Sequence, residues 1–156
     1  MRKLEDLFDN VMDSLSAALL CDFYKLAHRP MYPQGMETVY STWTPRASRM
    51  RGVDQVVAFG AQAFIKDKLI SLLNKNFFKR DKEAVMAEFK RIIKFTLGDQ
   101  NPDTTHLEAL HDLGYLPLSI KALPEGTVVP LRVPTLTIQN TDTRFFFTSK
   151  CHFQIW

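Results

Sequence analysis

Leu4, Leu7, Phe8, Val11, Met12 and Leu15 recur three or four positions apart, with Glu5, Asp6 and Asp9 between them. An apolar stripe with acids in its early turns predicts an amphipathic helix over residues 3–14. Residues 20–32 then mix Asp22, Tyr24, Lys25, His28, Arg29 and Pro30 without a period, which predicts an irregular, surface-facing stretch. Alternation begins at residues 37–44, where Val39, Ser41 and Trp43 share one face between Gly35 and Pro45. Its β-branched and aromatic content predicts a strand. A short apolar run at 56–59 ends at Gly60, and Ala61, Phe64, Ile65, Lys68, Leu69, Leu72 and Leu73 predict an amphipathic helix after it.

Val85, Phe89, Ile92, Ile93 and Thr96 form the next helical set, starting near Asp81 and closing at Gly98, a residue that adopts positive φ cheaply. Thr105-His106-Leu107-Glu108 fits a capping box, so a short helix is expected from there to Gly114. Beyond it the period drops to two. Leu116, Leu118, Ile120 and Ala122 alternate with smaller or polar residues, Pro124-Glu125-Gly126 supplies turn chemistry, and Thr127-Val128-Val129 follows. This pattern predicts a β-hairpin. A last strand is expected at 135–139, ended by Asn140-Thr141-Asp142, which favour turns and caps. Helices enclosed by strands at both ends predict an α+β domain, with helices packed on a small, mostly antiparallel sheet.

Length and composition fit that picture. The chain has 156 residues, 46% hydrophobic and 24% charged, enough for one domain with its own core. Twenty Lys and Arg against seventeen Asp and Glu leave a net charge of +3, too small and dispersed to predict a nucleic-acid or membrane surface. The acids before the short apolar run at 17–21 are unlike a secretory signal, and no run of apolar residues is long enough to span a bilayer. Cys21 and Cys151 carry no metal or disulfide spacing, so a reducing cytoplasm is the default expectation. The aromatic end, Phe145-Phe146-Phe147 and then 151–156, is an apolar end of the kind expected to continue or to pack against something.

The common phosphate-loop, dinucleotide, zinc-protease, hydrolase and calcium-loop motifs are absent, and the four histidines lack metal-ligand spacing. Two segments carry the chemistry, residues 19–49 and 114–142. Asp22, Tyr24, Lys25 and His28 form a D-x-Y-K-x-x-H element, followed by Met31-Tyr32-Pro33, Val39-Tyr40-Ser41 and Arg46. The second segment holds Pro117-Leu118, Ile120-Lys121-Ala122, Pro124-Glu125-Gly126 and Asn140-Thr141-Asp142, and Phe59-Gly60-Ala61-Gln62 lies between the two. In this order and spacing they resemble the N-terminal region of the nicotinamide phosphoribosyltransferase family, over nearly the whole chain.

The resemblance implies the N-terminal domain of a type II phosphoribosyltransferase, over residues 1–144, without the (β/α) barrel that follows it in the family. Residues 145–156 are then expected to be a divergent, prematurely ended start of the next segment. The implied activity moves a phosphoribosyl group from phosphoribosyl pyrophosphate to nicotinamide with Mg²⁺, giving nicotinamide mononucleotide and pyrophosphate in NAD salvage. In the family's homodimer, the residue matching Tyr24 stacks on nicotinamide held mainly by the other subunit, and the one matching Asp22 lies near the carboxamide. Arg46, Lys25 and Arg49 are candidates for phosphate. No catalytic residue and no Mg²⁺ ligand is expected in this chain, and alone it is expected to be inactive.

By residue type, Tyr24 is also a candidate core aromatic, Asp22 an equally good helix N-cap, and the Arg46, Arg49, Arg51 run a solvated face. His28, Lys121 and Glu125 are expected to be structural. Two other functions stand beside the enzyme: a non-catalytic module that pairs with a separate or full-length phosphoribosyltransferase, and a basic nucleic-acid binder resting on the arginine run.

Overall fold

The computed structural model describes residues 16–151; the helix expected over 3–14 lies outside them. Three 3₁₀ turns open the described chain, Ala17–Leu19, Phe23–Ala27 and Arg29–Met31. Strands β1 (Tyr40–Trp43) and β2 (Gln55–Val57) follow, then helix α1 (Ala61–Phe64), which widens into π-helical turns at Ile65–Leu72 and Asn74–Phe78. Helices α2 (Lys82–Leu97) and α3 (Thr105–Leu113) precede strands β3 (Leu118–Ala122), β4 (Val128–Pro130) and β5 (Leu136–Asn140), and α4 (Thr148–Cys151) closes the described chain.

The architecture is α+β, as the sequence predicts. Antiparallel pairing joins three strands in the order β1-β5-β3, with Tyr40 opposite Gln139 and Ile120 opposite Ile138. A separate antiparallel pair joins β2 and β4, with Val56 opposite Val129. Leu73, Phe77, Val85, Phe89 and Leu110 from the helices form one buried cluster with Ala17, Leu19, Phe145 and Phe147. Both ends of the described chain therefore pack into the same core. No helix among the described residues is long and apolar enough to cross a membrane.

Helix α2 matches its sequence signals closely. The Asp81 carboxylate accepts the Ala84 amide at 2.8 Å, and Gly98, at φ 75°, ends the helix in the left-handed conformation. Three expectations change. The hairpin over 116–129 does not form: β3 pairs with β5, and β4 crosses to β2. The Pro124–Gly126 turn is drawn to the end of β2 instead, where the Gly126 amide donates to Ala58 and the Ala58 amide to Thr127. Local turn chemistry favours reversal of the chain but does not choose the partner strand.

The helix after Gly60 is also not a regular α-helix throughout. Its buried residues, Phe64, Leu69, Leu73 and Phe77, recur every four to five positions, and a wider turn keeps them on one face. Finally, the expected capping box at Thr105 does not form, and the helix starts one residue earlier. Thr104 holds the N-cap position and its hydroxyl donates to Glu108 at 2.7 Å, while the amide and hydroxyl of Thr105 both donate to Asp103. Asp103 engages both the amide and the hydroxyl of Thr105, so Thr105 is drawn into the first turn and its hydroxyl is not free to cap the helix.

Candidate functional site

The turn carrying the D-x-Y-K-x-x-H residues is anchored from the core outward. The Ser16 amide donates to the Glu88 carboxylate on α2 at 3.1 Å, and Glu88 pairs with Arg80 at 2.7 Å. Ala17, Ala18 and Leu19 are buried beside α2 and the π-helical turns, so the chain emerges at Asp22 from a fixed base. Backbone bonds from Lys25 to Asp22, His28 to Lys25 and Met31 to His28 then wind it into short 3₁₀ turns. Pro30, which has no amide hydrogen, sits at the start of the third turn, where none is needed.

This winding separates the side chains. Tyr24 is 57% exposed, while Lys25 is only 4% exposed. The Tyr24 ring has two close neighbours: His28 meets it edge-on at 5.2 Å between centroids, and the Lys25 ammonium lies over it, 5.7 Å from its centre. Such contacts orient an aromatic ring, and more than half of the Tyr24 surface stays open to solvent. Asp22 occupies the N-cap position of this turn, but its side chain makes no capping bond and is exposed. The turn thus presents a carboxylate and an aromatic ring two residues apart, with a buried cation behind the ring.

Arg46 lies beyond β1, exposed, in a loop where the Pro45 carbonyl accepts the Arg132 amide at 2.8 Å. Among the described residues no hydrogen bond or ion pair links Arg46 to Asp22, Tyr24 or Lys25. Arg49 is exposed in the same loop.

Other motif residues hold the scaffold. Glu125 accepts the Gly60 amide at 2.7 Å and the Gln62 amide at 3.5 Å, which joins the Pro-Glu-Gly turn to the start of α1. Asn140 is buried. Its Oδ1 accepts the Val39 amide at 2.9 Å, and its Nδ2 donates to the carbonyls of Glu37 at 2.8 Å and Asp142 at 3.0 Å. Asp142 caps the following turn through the Arg144 amide. These motifs set the geometry between β1, β5 and α1.

A second constellation joins the turn at Arg29 to the start of α3 and carries no sequence motif. Arg29 pairs with Asp103 at 2.6 Å. Hydrogen bonds from the Thr105 hydroxyl and amide, with help from Arg29, hold the Asp103 carboxyl down at about 2. His106, on the first turn of α3, meets Phe147 edge-on at 5.1 Å. Burial lowers its pKa to about 4, reinforced by the Arg29 charge and opposed by Asp103 and Glu108. Sequence spacing could not single out His106, since Arg29, whose charge helps lower its pKa, lies 77 positions away in the chain. His111 is engaged structurally: its Nε2 lies 3.0 Å from the Arg80 carbonyl.

A family model described as nicotinamide phosphoribosyltransferase, N-terminal domain, matches residues 16–120. A nicotinamide phosphoribosyltransferase of Acinetobacter baylyi is 50% identical over 131 residues, covering 81% of this chain and 26% of that protein. A nicotinamide phosphoribosyltransferase of Xanthomonas campestris pv. campestris is 29% identical over 128 residues, covering 81% of this chain and 25% of that protein. The chain spans about a quarter of the length of these relatives.

Proposed function

The chain belongs to the nicotinamide phosphoribosyltransferase family through its N-terminal domain, and from that premise we propose that it supplies one wall of the pyridine-ring site of an enzyme that makes nicotinamide mononucleotide. The substrates are nicotinamide and phosphoribosyl pyrophosphate, and pyrophosphate leaves. The observation that carries this reading is the Tyr24 ring, exposed yet braced by His28 and Lys25.

A pyridine ring stacked on Tyr24 would keep its nitrogen in line with the ribosyl carbon, and alignment of reacting atoms is a large part of such catalysis. Asp22, a hydrogen-bond acceptor when ionised, would take the carboxamide NH₂ and so fix rotation of the ring in its plane. The cation-lined phosphate site would draw on Arg46, whose planar fork suits phosphate oxygens. Lys25, buried behind Tyr24, would act through the ring it braces.

Mg²⁺ would assist departure of pyrophosphate in the complete enzyme. Among the described residues no three of His, Cys, Asp and Glu group to hold a metal. The rest of a type II architecture, its barrel and a homodimer that brings Tyr24 to the opposite subunit's ring site, completes the proposed enzyme in a cytoplasmic setting.

The test is a chimera in which this domain replaces the aligned 131-residue part of the Acinetobacter baylyi relative. Formation of nicotinamide mononucleotide from nicotinamide and phosphoribosyl pyrophosphate is expected. A folded chimera that makes none would overturn the reading.

A further inference from the structure

We propose that residues 3–14 dock as an amphipathic helix, antiparallel, along the outer face of helix α2, and so clamp the base of the turn that presents Asp22 and Tyr24. On α2, Ala84, Glu88, Ile92 and Phe95 follow one another four, four and three positions apart and share one face. Val85, Met86, Phe89 and Ile93 take the core-facing side. The outer face is apolar on both sides of Glu88 and open: Ala84 is exposed, Ile92 half-buried and Phe95 77% exposed. An aromatic ring in water one turn from a half-buried isoleucine is a surface that a second helix can cover.

The place where the chain enters the core selects the occupant. The Ser16 amide donates to Glu88 Oε1 at 3.1 Å, so the segment before Ser16 starts from the middle of this face. Its apolar stripe runs from Leu4 to Leu15. Twelve helical residues span about 18 Å, and α2 continues from Glu88 to Leu97 for about 14 Å. In the other direction only Ala84 remains of the face, so length directs the segment toward Phe95. With equal rise per residue from Leu15 at Glu88, Val11 meets Ile92 and Phe8 meets Phe95.

Charge points the same way. The segment carries Glu5, Asp6, Asp9 and Asp13 against Arg2 and Lys3, whereas Lys90, Arg91 and Lys94 are exposed on α2 with no acid between Phe89 and Leu97. Opposite charges on adjacent helices, closer than a Debye length, attract. The family match begins at residue 16, so this contact lies outside the part of the chain that the match covers. Docking would fix the chain ahead of Ser16, whose carbonyl already accepts the Leu19 amide at 2.9 Å. The value of the clamp to a ring site rests on the function proposed above; the docking itself does not.

The experiment attaches a nitroxide to Asn10→Cys in the full ¹⁵N-labelled chain, with Cys21→Ser and Cys151→Ser removing the native thiols, and reads the broadening of amide resonances. Ile92, Phe95 and Leu97 are expected to broaden strongly, while Val56 and Val129 on the β2–β4 pair keep their intensity. Phe95→Glu, at an exposed position, should remove the broadening and speed hydrogen exchange of the Leu19 and Leu20 amides by at least about threefold. Phe8→Asp, on the segment itself, should do the same. Broadening centred elsewhere, no broadening, or broadening unchanged in both variants would each overturn the proposal. So would exchange unchanged in both variants. Broadening of equal strength when nitroxide-bearing unlabelled chain is mixed with ¹⁵N-labelled chain lacking the nitroxide would also overturn it, by placing the segment on a second copy. None of these readouts involves nicotinamide, so their failure is distinct from failure of the ring-site reading.

Discussion

Glu125 accepts the backbone amide of Gly60 at 2.7 Å, across 65 positions of sequence. Gly60, at φ 86°, opens helix α1, and the Glu125 carboxylate serves as its N-terminal cap from another strand connection. Glu125→Ala should therefore lower stability by about 1 kcal/mol, the usual worth of a capping side chain. The shift in urea midpoint measures it. An unchanged midpoint would show that water replaces the carboxylate without cost.

Asn140 has a more demanding role, because both ends of its amide are used and it is buried. Asn140→Asp keeps the shape and the acceptor for Val39 but removes the donor to Glu37 and Asp142. A carboxylate against two carbonyls should cost at least about 2 kcal/mol at neutral pH. Thermal unfolding of the variant at pH 7 checks this, and a melting temperature equal to the parent's would refute it.

Local signals were legible wherever a few neighbouring residues decide the outcome. Asp81 and Gly98 bound α2, Gly114 ends α3, and the alternation in 118–122 and 135–139 marks real strands. Pairing was not legible, because the Pro124–Gly126 turn is captured by Ala58, far away in sequence. The aperiodic 20–32 stretch is irregular as expected, yet its side chains divide between surface and interior: Tyr24 points out and Lys25 is buried. Residue types alone would place the lysine outside and the tyrosine partly inside. His106 gave no sequence signal, since its lowered pKa comes from burial against Phe147 and from Arg29.

That histidine makes stability depend on pH. Its folded pKa of about 4 lies below the ordinary 6.5, so between these values the unfolded chain binds the extra proton. Its contribution is complete above pH 6.5 and declines as pH falls toward 4, by on the order of 3 kcal/mol. Asp103, held at about 2, is still ionised over this window. Urea unfolding at pH 7 and 4.5 should show the loss in the parent and a much smaller one in His106→Leu. Equal losses in both proteins would remove His106 from the explanation.

The junction of the two sheets leaves apolar side chains in water. Phe59 is 82% exposed, and Trp43 and Val57 are exposed beside it around Ala122 and Leu136. A patch of this kind drives association. Sedimentation of the 156-residue chain should show mass rising with concentration, and Phe59→Glu should suppress it. A monomer at high concentration would contradict this.

The most direct test of the central claim is the nicotinamide KM of the chimeric enzyme with and without Tyr24. Loss of a stacking face is worth about 0.5–1.5 kcal/mol beyond area, so Tyr24→Ala should raise that KM by roughly two- to twelvefold, with the KM for phosphoribosyl pyrophosphate little changed and Tyr24→Phe close to the parent. A nicotinamide KM unchanged in Tyr24→Ala would contradict the placement of this turn at the pyridine ring.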